Sequence, residues 1–143
     1  MKQKQDATKE ANRVFLAFVD TDKQTVVIAR RAKGTNNAGQ YGLIGGKIDS
    51  GESPSNAAVR ELFEETGLSL TVDQLEASLY DSHTAATNKK TYLFLEIKLN
   101  DLFVFSKSQE LDTFMTVSLS SIPLLEKPFH KSLSLWYLAR NEV

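Results

Sequence analysis

The sequence predicts an α/β fold, a mixed β-sheet with helices packed on its flanks, and three observations carry that reading. Runs of β-favouring residues, one strongly signalled helix, further β-rich runs and a closing amphipathic helix succeed one another along the chain. Strands and helices do not alternate one for one, as a regular βαβ array would require. Finally, 143 residues with 41% hydrophobic and 24% charged side chains suit one domain with a core of useful size.

Residues 1–11 read as a polar lead-in, and residues 12–143 as the single domain. Arg13 to Val19 and Thr25 to Arg30 are short runs rich in β-branched and aromatic residues, and the Asp20–Lys23 turn between them predicts a hairpin. A polar, glycine-bearing loop from Ala32 to Gln40 leads into a short strand at Tyr41–Ile44. Ser53 to Thr66 predicts a helix, with Ser53 as N-cap, Pro54 in the first turn and Gly67 just past the end. Leu75–Ser82, Thr91–Leu99 and Phe114–Leu119 are strand candidates. Pro128 to Asn141 closes the chain as an amphipathic helix, with Phe129, Leu133, Leu135 and Trp136 expected to face the core.

Composition narrows the function classes. Seventeen basic against 18 acidic side chains give a net charge of −1, which offers no basic face for a nucleic acid polymer. The absence of cysteine removes disulfides, zinc–thiolate sites and a cysteine nucleophile. No apolar run approaches the ~20 residues that cross a bilayer, and the polar start lacks a signal peptide's apolar stretch. The expectation is a cytoplasmic protein that binds no membrane.

The informative segment is Gly46 to Leu68, GKIDSGESPSNAAVRELFEETGL. At ~100° per residue Glu61, Glu64 and Glu65 fall within an arc of roughly 100°. Ala58, Val59, Leu62 and Phe63 are assigned to the opposite side, expected to pack on a sheet. Carboxylates at i, i+3 and i+4 repel one another by a few tenths of a kcal/mol per pair. For Glu-x-x-Glu-Glu alone, a solvated acidic face is the ordinary reading. A divalent cation would turn the same cluster from a cost into a gain, since magnesium takes carboxylate and water oxygens.

The surrounding pattern decides between them. Gly46, Glu52, Arg60, Glu61, Leu62, Glu64, Glu65, Gly67 and Leu68 stand as G-x5-E-x7-R-E-L-x-E-E-x-G-L. This resembles the Nudix box at every defining position, and a chance match is on the order of one in a billion per window. Val26 to Ala32 and Gly45 to Ile48 are similar to the corresponding stretches of the MutT-like branch, so the specific likeness covers roughly residues 13–70.

The resemblance implies a Nudix-like α/β/α sandwich and hydrolysis of a diphosphate linkage by water attack on phosphorus. It implies magnesium, with manganese as a substitute, held by Glu61, Glu64, Glu65 and the Gly46 carbonyl. Glu61 is the candidate general base. Arg60 and Glu52, also within the box, suit a bidentate pair that fixes the loop against the helix. Arg31 and Lys47 are candidate phosphate contacts. His83 and His130 have no partners at metal-ligand spacing and read as ordinary hydrogen-bonding residues, and Trp136-Tyr137 as core packing. Phe94, Phe103 or Tyr92 could stack on a base.

The pattern departs from the family in two places. Ile44 stands where many members have proline before the double glycine. The acidic residue that MutT-like proteins often carry just before a Ser-Leu pair is missing ahead of Ser118-Leu119; Glu110 or Asp112 would have to reach in instead. The expected substrate is a nucleoside triphosphate, split to monophosphate and pyrophosphate. The alternatives are a nucleoside diphosphate linked to another moiety, such as ADP-ribose or a dinucleoside polyphosphate, and a non-catalytic nucleotide sensor. The family also admits a homodimer.

Overall fold

A computed structural model describes residues 11–125 and 130–142. Seven strands form one mixed sheet around β1 (Arg13–Asp20). β1 runs parallel to β6 (Thr91–Lys98) on one side. On the other side it divides its partners. Its first half pairs antiparallel with β4 (Ile44–Lys47), and its last two residues with β2 (Thr25–Arg31). β2 carries β3 (Tyr41–Gly42) and β7 (Leu111–Ser118), and β5 (Leu79–Ala86) edges β6.

The central strands are buried on both faces, which is why they read as unbroken apolar runs rather than alternating ones. From β1, Val14, Leu16 and Phe18 join Leu93, Leu95 and Ile97 of β6 in a core closed by Ala57, Ala58 and Leu62. Phe15, Ala17 and Val19 face the other way, with Tyr92 and Phe94, against Leu133 and Trp136. The first core is capped by α1 (Pro54–Thr66) and the second by α3 (Lys131–Arg140), which gives the three-layer sandwich.

The Asp20 hairpin forms as expected, its carboxylate accepting from the backbone N–H of Asp22 and Lys23 at 3.1 and 3.0 Å. α1 begins and ends where its signals place it. Ser53 Oγ accepts from Asn56 N at 3.1 Å, and Gly67, at φ 77°, returns its N–H to Phe63 O.

Several expectations need correction. Leu75–Ser82 is not one strand: α2 (Val72–Ser78) takes its first half, and β5 starts at Leu79. The reason is a reciprocal cap, Gln74 N donating to Thr71 Oγ1 and Thr71 N to Gln74 Oε1. β3 stops at Gly42 and a separate strand runs from Ile44 to Lys47. β7 starts at Leu111, three residues before the expected Phe114. On α1, Phe63 is 57% exposed instead of packed on the sheet. Its place is taken by Glu61 and Glu65, which are buried alongside Ala57, Ala58 and Leu62. On a helical wheel Ala58 and Leu62 lie within about 60° of Glu65 rather than opposite it. In α3, Leu133 and Trp136 are buried and Leu135 packs against them. Pro128, Phe129 and residues 1–10 of the lead-in lie outside the described residues.

Candidate metal centre and adjoining cavity

The double glycine of β4 brings α1 and β1 together. Gly45 has φ 149°, and a Cβ there would lie 2.1 Å from the Val14 carbonyl oxygen. A Cβ on Gly46 would sit 2.9 Å from the Glu61 carboxylate. Only residues without side chains let the helix present its carboxylates this close to a strand backbone. Ile44, in the position where proline is common, is wholly buried and pairs with Leu16 across the ladder.

Arg60 holds the loop ahead of the helix to the helix itself. Its Nε and Nη2 donate to the two oxygens of Glu52 at 2.7 and 2.9 Å, the bidentate pair the sequence suggested. Nη2 also donates to Lys47 O at 3.0 Å, and Nη1 to Glu61 Oε2 and Glu64 Oε1 at 3.0 and 3.1 Å. The Arg60 hydrogen bonds, aided by the Asp49 N–H, hold the Glu52 carboxyl down at about 2. One guanidinium thus orients two of the three stripe carboxylates and clamps the loop.

Glu65 lies deepest, 3% exposed, accepting from Gly45 N at 3.0 Å. Burial and then the nearby Glu61 push its carboxyl up to about 9, partly offset by the Gly45 N–H and, more weakly, by Arg31. Burial likewise raises Glu61, against the pull of Arg60 and with the help of Glu64 and Glu110. Both shifts mark negative charge that the fold does not fully compensate.

The fourth acid is Glu110. One carboxylate oxygen each from Glu61, Glu64 and Glu110 lies within 4.8 Å of the others. Glu110 is set by backbone contacts, its carbonyl accepting from Ala32 N at 2.8 Å and its N–H donating to Ser108 Oγ. A register shift between Arg30 and Arg31 sits in the same stretch of the β2–β7 ladder. Asp112, the other candidate, is taken by Arg30 at 2.8 Å. Sequence reasoning had no local signal by which to choose between them.

Arg31 is half-buried and donates to Asn36 O at 2.6 Å. Lys47 is exposed at the end of β4. Beyond Arg31, on the α3 side of the sheet, a cavity of about 880 Å³ is walled by Tyr92, His130, Leu133 and Tyr137, with Lys89 and Lys90 among its lining residues. Of the three aromatic residues considered for stacking, Tyr92 lines this cavity. Phe94 is wholly buried, and Phe103 lies across the molecule beside Phe18. Trp136 is core, as expected. The charge of Arg31 acts weakly on Glu65 and also on His130, which lines the cavity.

A second acidic group gathers Asp81, His83 and Glu96 on the α3 face. His83 is the hydrogen-bonding residue expected, its Nε2 2.9 Å from Glu96 Oε1, and its approach to two carboxylates was not foreseen. The same oxygen accepts from Arg140 Nε at 2.8 Å and Trp136 Nε1 at 3.1 Å.

A family model for the NUDIX domain matches residues 10–137. Among curated proteins, the 8-oxo-dGTP diphosphatase of Escherichia coli (strain K12) is 36% identical over 55 residues, 38% of this chain and 43% of that protein. The CTP pyrophosphohydrolase of the same strain is 37% identical over 65 residues, 46% of this chain and 47% of that one. The chain thus spans less than half the length of these curated relatives. The crystal structure of the MutT protein from Methanosarcina mazei Go1 superposes with a TM-score of 0.58 at 22% identity, covering 87% of this chain and 86% of that one. At that identity the likeness speaks for the fold.

Proposed function

The chain belongs to the NUDIX domain family, and we propose on that premise that it is a magnesium-dependent pyrophosphohydrolase that splits a nucleoside triphosphate into monophosphate and pyrophosphate. The observation that carries the reading is the conjunction of two features. Four acidic residues gather where α1 meets β4 and β7, the fold also holds a cavity large enough for a nucleotide, and the charge of Arg31 is felt both at Glu65 and at the cavity-lining His130.

The residues fit a divalent cation. Glu61 and Glu65 are raised by burial and by neighbouring carboxylates, and a cation would relieve both. Glu64, Glu65, Glu110 and the Gly46 carbonyl would hold it, with Glu61 completing the set through one oxygen. Bound there, magnesium supplies charge neutralisation on the phosphate oxygens and activation of the attacking water. Glu61 takes the proton of that water at Oε1, the oxygen that Arg60 leaves free. Arg60 and Glu52 act by position: they keep Glu61 and Glu64 aimed at the site. Arg31 and Lys47 receive phosphate oxygens, and Tyr92 offers a ring at the cavity wall. No helix among the described residues is long and apolar enough to cross a membrane.

The test is product release from a panel of triphosphates, ADP-ribose and dinucleoside polyphosphates, with magnesium, with manganese and with chelator. Metal-dependent pyrophosphate from a triphosphate supports the proposal. Cleavage restricted to ADP-ribose or a dinucleotide would replace the substrate and keep the site. Tight binding without turnover would make the chain a nucleotide sensor.

A further inference from the structure

His130 sits where α3 begins, at the wall of the cavity, and its ring is held on three sides. Its backbone N–H donates to Tyr41 O at 2.7 Å. Gly42 leaves no room behind it, since a Cβ there would lie 2.6 Å from His130 Cβ. The Phe15 ring lies 5.9 Å away, tilted by 49°.

The tautomer is fixed as firmly as the position. Ser132 N donates to His130 Nδ1 at 3.1 Å, so Nδ1 must carry a lone pair. Ser132 Oγ accepts from Leu43 N at 3.1 Å and lies 2.9 Å from the same Nδ1, so with that nitrogen unprotonated the serine hydroxyl donates to it as well. A neutral ring with Nδ1 as acceptor carries its proton on Nε2. Among the described residues no acceptor is recorded for Nε2. Protonating Nδ1 would cost the N-cap bond and the serine bond together. Burial, followed by Arg31, Lys90 and Lys131, moves the imidazole the same way, down to about 4.

We propose that His130 reads the nucleobase as a fixed Nε2–H donor, selecting a base with an exocyclic oxygen over one with an exocyclic amine at the same position. This rests on the reading of the cavity as a nucleotide site. An amine facing that donor would oppose N–H to N–H and leave both unpaired, whereas an oxygen accepts. A histidine whose two nitrogens were equally available could turn to suit either base. Here Ser132 and Leu43 prevent it.

The experiment compares inosine triphosphate with adenosine triphosphate, which differ by oxygen or amine at the 6-position and by the N1 proton that accompanies the oxygen. With magnesium, kcat/KM should favour the inosine nucleotide by at least about tenfold, the worth of one unpaired buried polar contact. His130→Phe keeps the ring's bulk, removes the donor, and should bring the ratio to within about threefold. Equal rates in the unaltered protein, or an undiminished ratio in the variant, overturn the inference. Since the substitution also removes the α3 N-cap, circular dichroism must show the variant folded. If it is not, nitrogen-15 NMR of the unaltered protein decides: a shift of His130 Nε2–H with inosine monophosphate, and none with adenosine monophosphate, supports the assignment, and equal responses overturn it. Failure to hydrolyse any triphosphate would sink the proposed reaction and not this inference, which calorimetry then reads from the two monophosphates. Tighter binding of the inosine form upholds it, and equal or absent binding ends it.

Discussion

Replacing Glu65 by glutamine should stabilise the metal-free protein while removing its response to magnesium. In the metal-free fold the buried Glu65 carboxyl is raised from 4.5 to about 9, by burial first and Glu61 second. The sign follows from proton binding. Between those two values the folded chain holds a proton that the unfolded chain has lost, so stability falls as pH rises from about 4.5 to about 9. At pH 7 the loss covers two and a half units at about 1.4 kcal/mol each, or about 3 kcal/mol. Dielectric relaxation around the site trims this to a working range of about 1–3 kcal/mol. Glutamine is uncharged at every pH, keeps the oxygen that accepts from Gly45 N, and offers its amide to Glu61. Thermal unfolding in chelator at pH 7 should therefore show Glu65→Gln melting about 3–10 °C above the parent. At pH 5 the gap should nearly close. Magnesium at a hundred times its Kd should stabilise the parent by about 2.7 kcal/mol and the variant hardly at all. A variant that is less stable than the parent in chelator, or that gains equally from magnesium, would refute both the burial argument and the ligand assignment.

Gly45→Ala should lose more than about 3 kcal/mol in urea unfolding, or fail to fold, because its Cβ would strike the Val14 carbonyl at 2.1 Å in a backbone conformation that suits glycine. Arg60→Lys should fold but lower kcat/KM at least about tenfold, since an ammonium cannot keep both Glu52 oxygens together with Glu61, Glu64 and the Lys47 carbonyl. Its stability deficit should also depend on pH. The Glu52 contribution is complete above about pH 4.5 and is lost as pH falls toward about 2, and without the fork that contribution is smaller, so the gap between parent and variant should narrow in acid. Leu62→Ala, at a wholly buried position, should cost about 2–5 kcal/mol, whereas Phe63→Ala on the exposed side should stay within about 1 kcal/mol by the same urea titration.

What the sequence disclosed and what it hid have separate physical origins. The strands, the α1 caps and the Arg60–Glu52 pair were legible because each depends on residues near in sequence or on a two-faced burial pattern. α2 was also legible in principle: Thr71 and Gln74 stand at capping-box spacing, and the apolar residues that follow were given a strand's period instead. The outward Phe63 was misread because charge was equated with solvent. On α1 two glutamates face inward, and the helix turns an aromatic ring to water to let them. That inversion of the ordinary pattern is itself a mark of a site. Glu110 was named beside Asp112, and the choice between them was beyond reach for a different reason. The place of Glu110 is set by a backbone bond from Ala32, a contact between segments far apart in the chain that leaves no local pattern.

The two acidic groups of this fold show why convergence alone does not define a cation site. Asp81, His83 and Glu96 converge as closely as Glu61, Glu64 and Glu110. Burial would raise Glu96, yet the Arg140 hydrogen bond leads the groups that hold its carboxyl below the ordinary value. Its Oε1 already receives Arg140, His83 and Trp136, so an arriving cation would have to displace a guanidinium at 2.8 Å. A buried pair held through Oε1 in this way is disrupted at high cost when a partner leaves. Around Glu61 and Glu65 the balance runs the other way. Arg60 reaches Glu61 and Glu64 but is itself committed to Glu52, and both buried glutamates stay raised. The negative charge left over there is what a divalent ion would neutralise, and substrate phosphates could complete its shell.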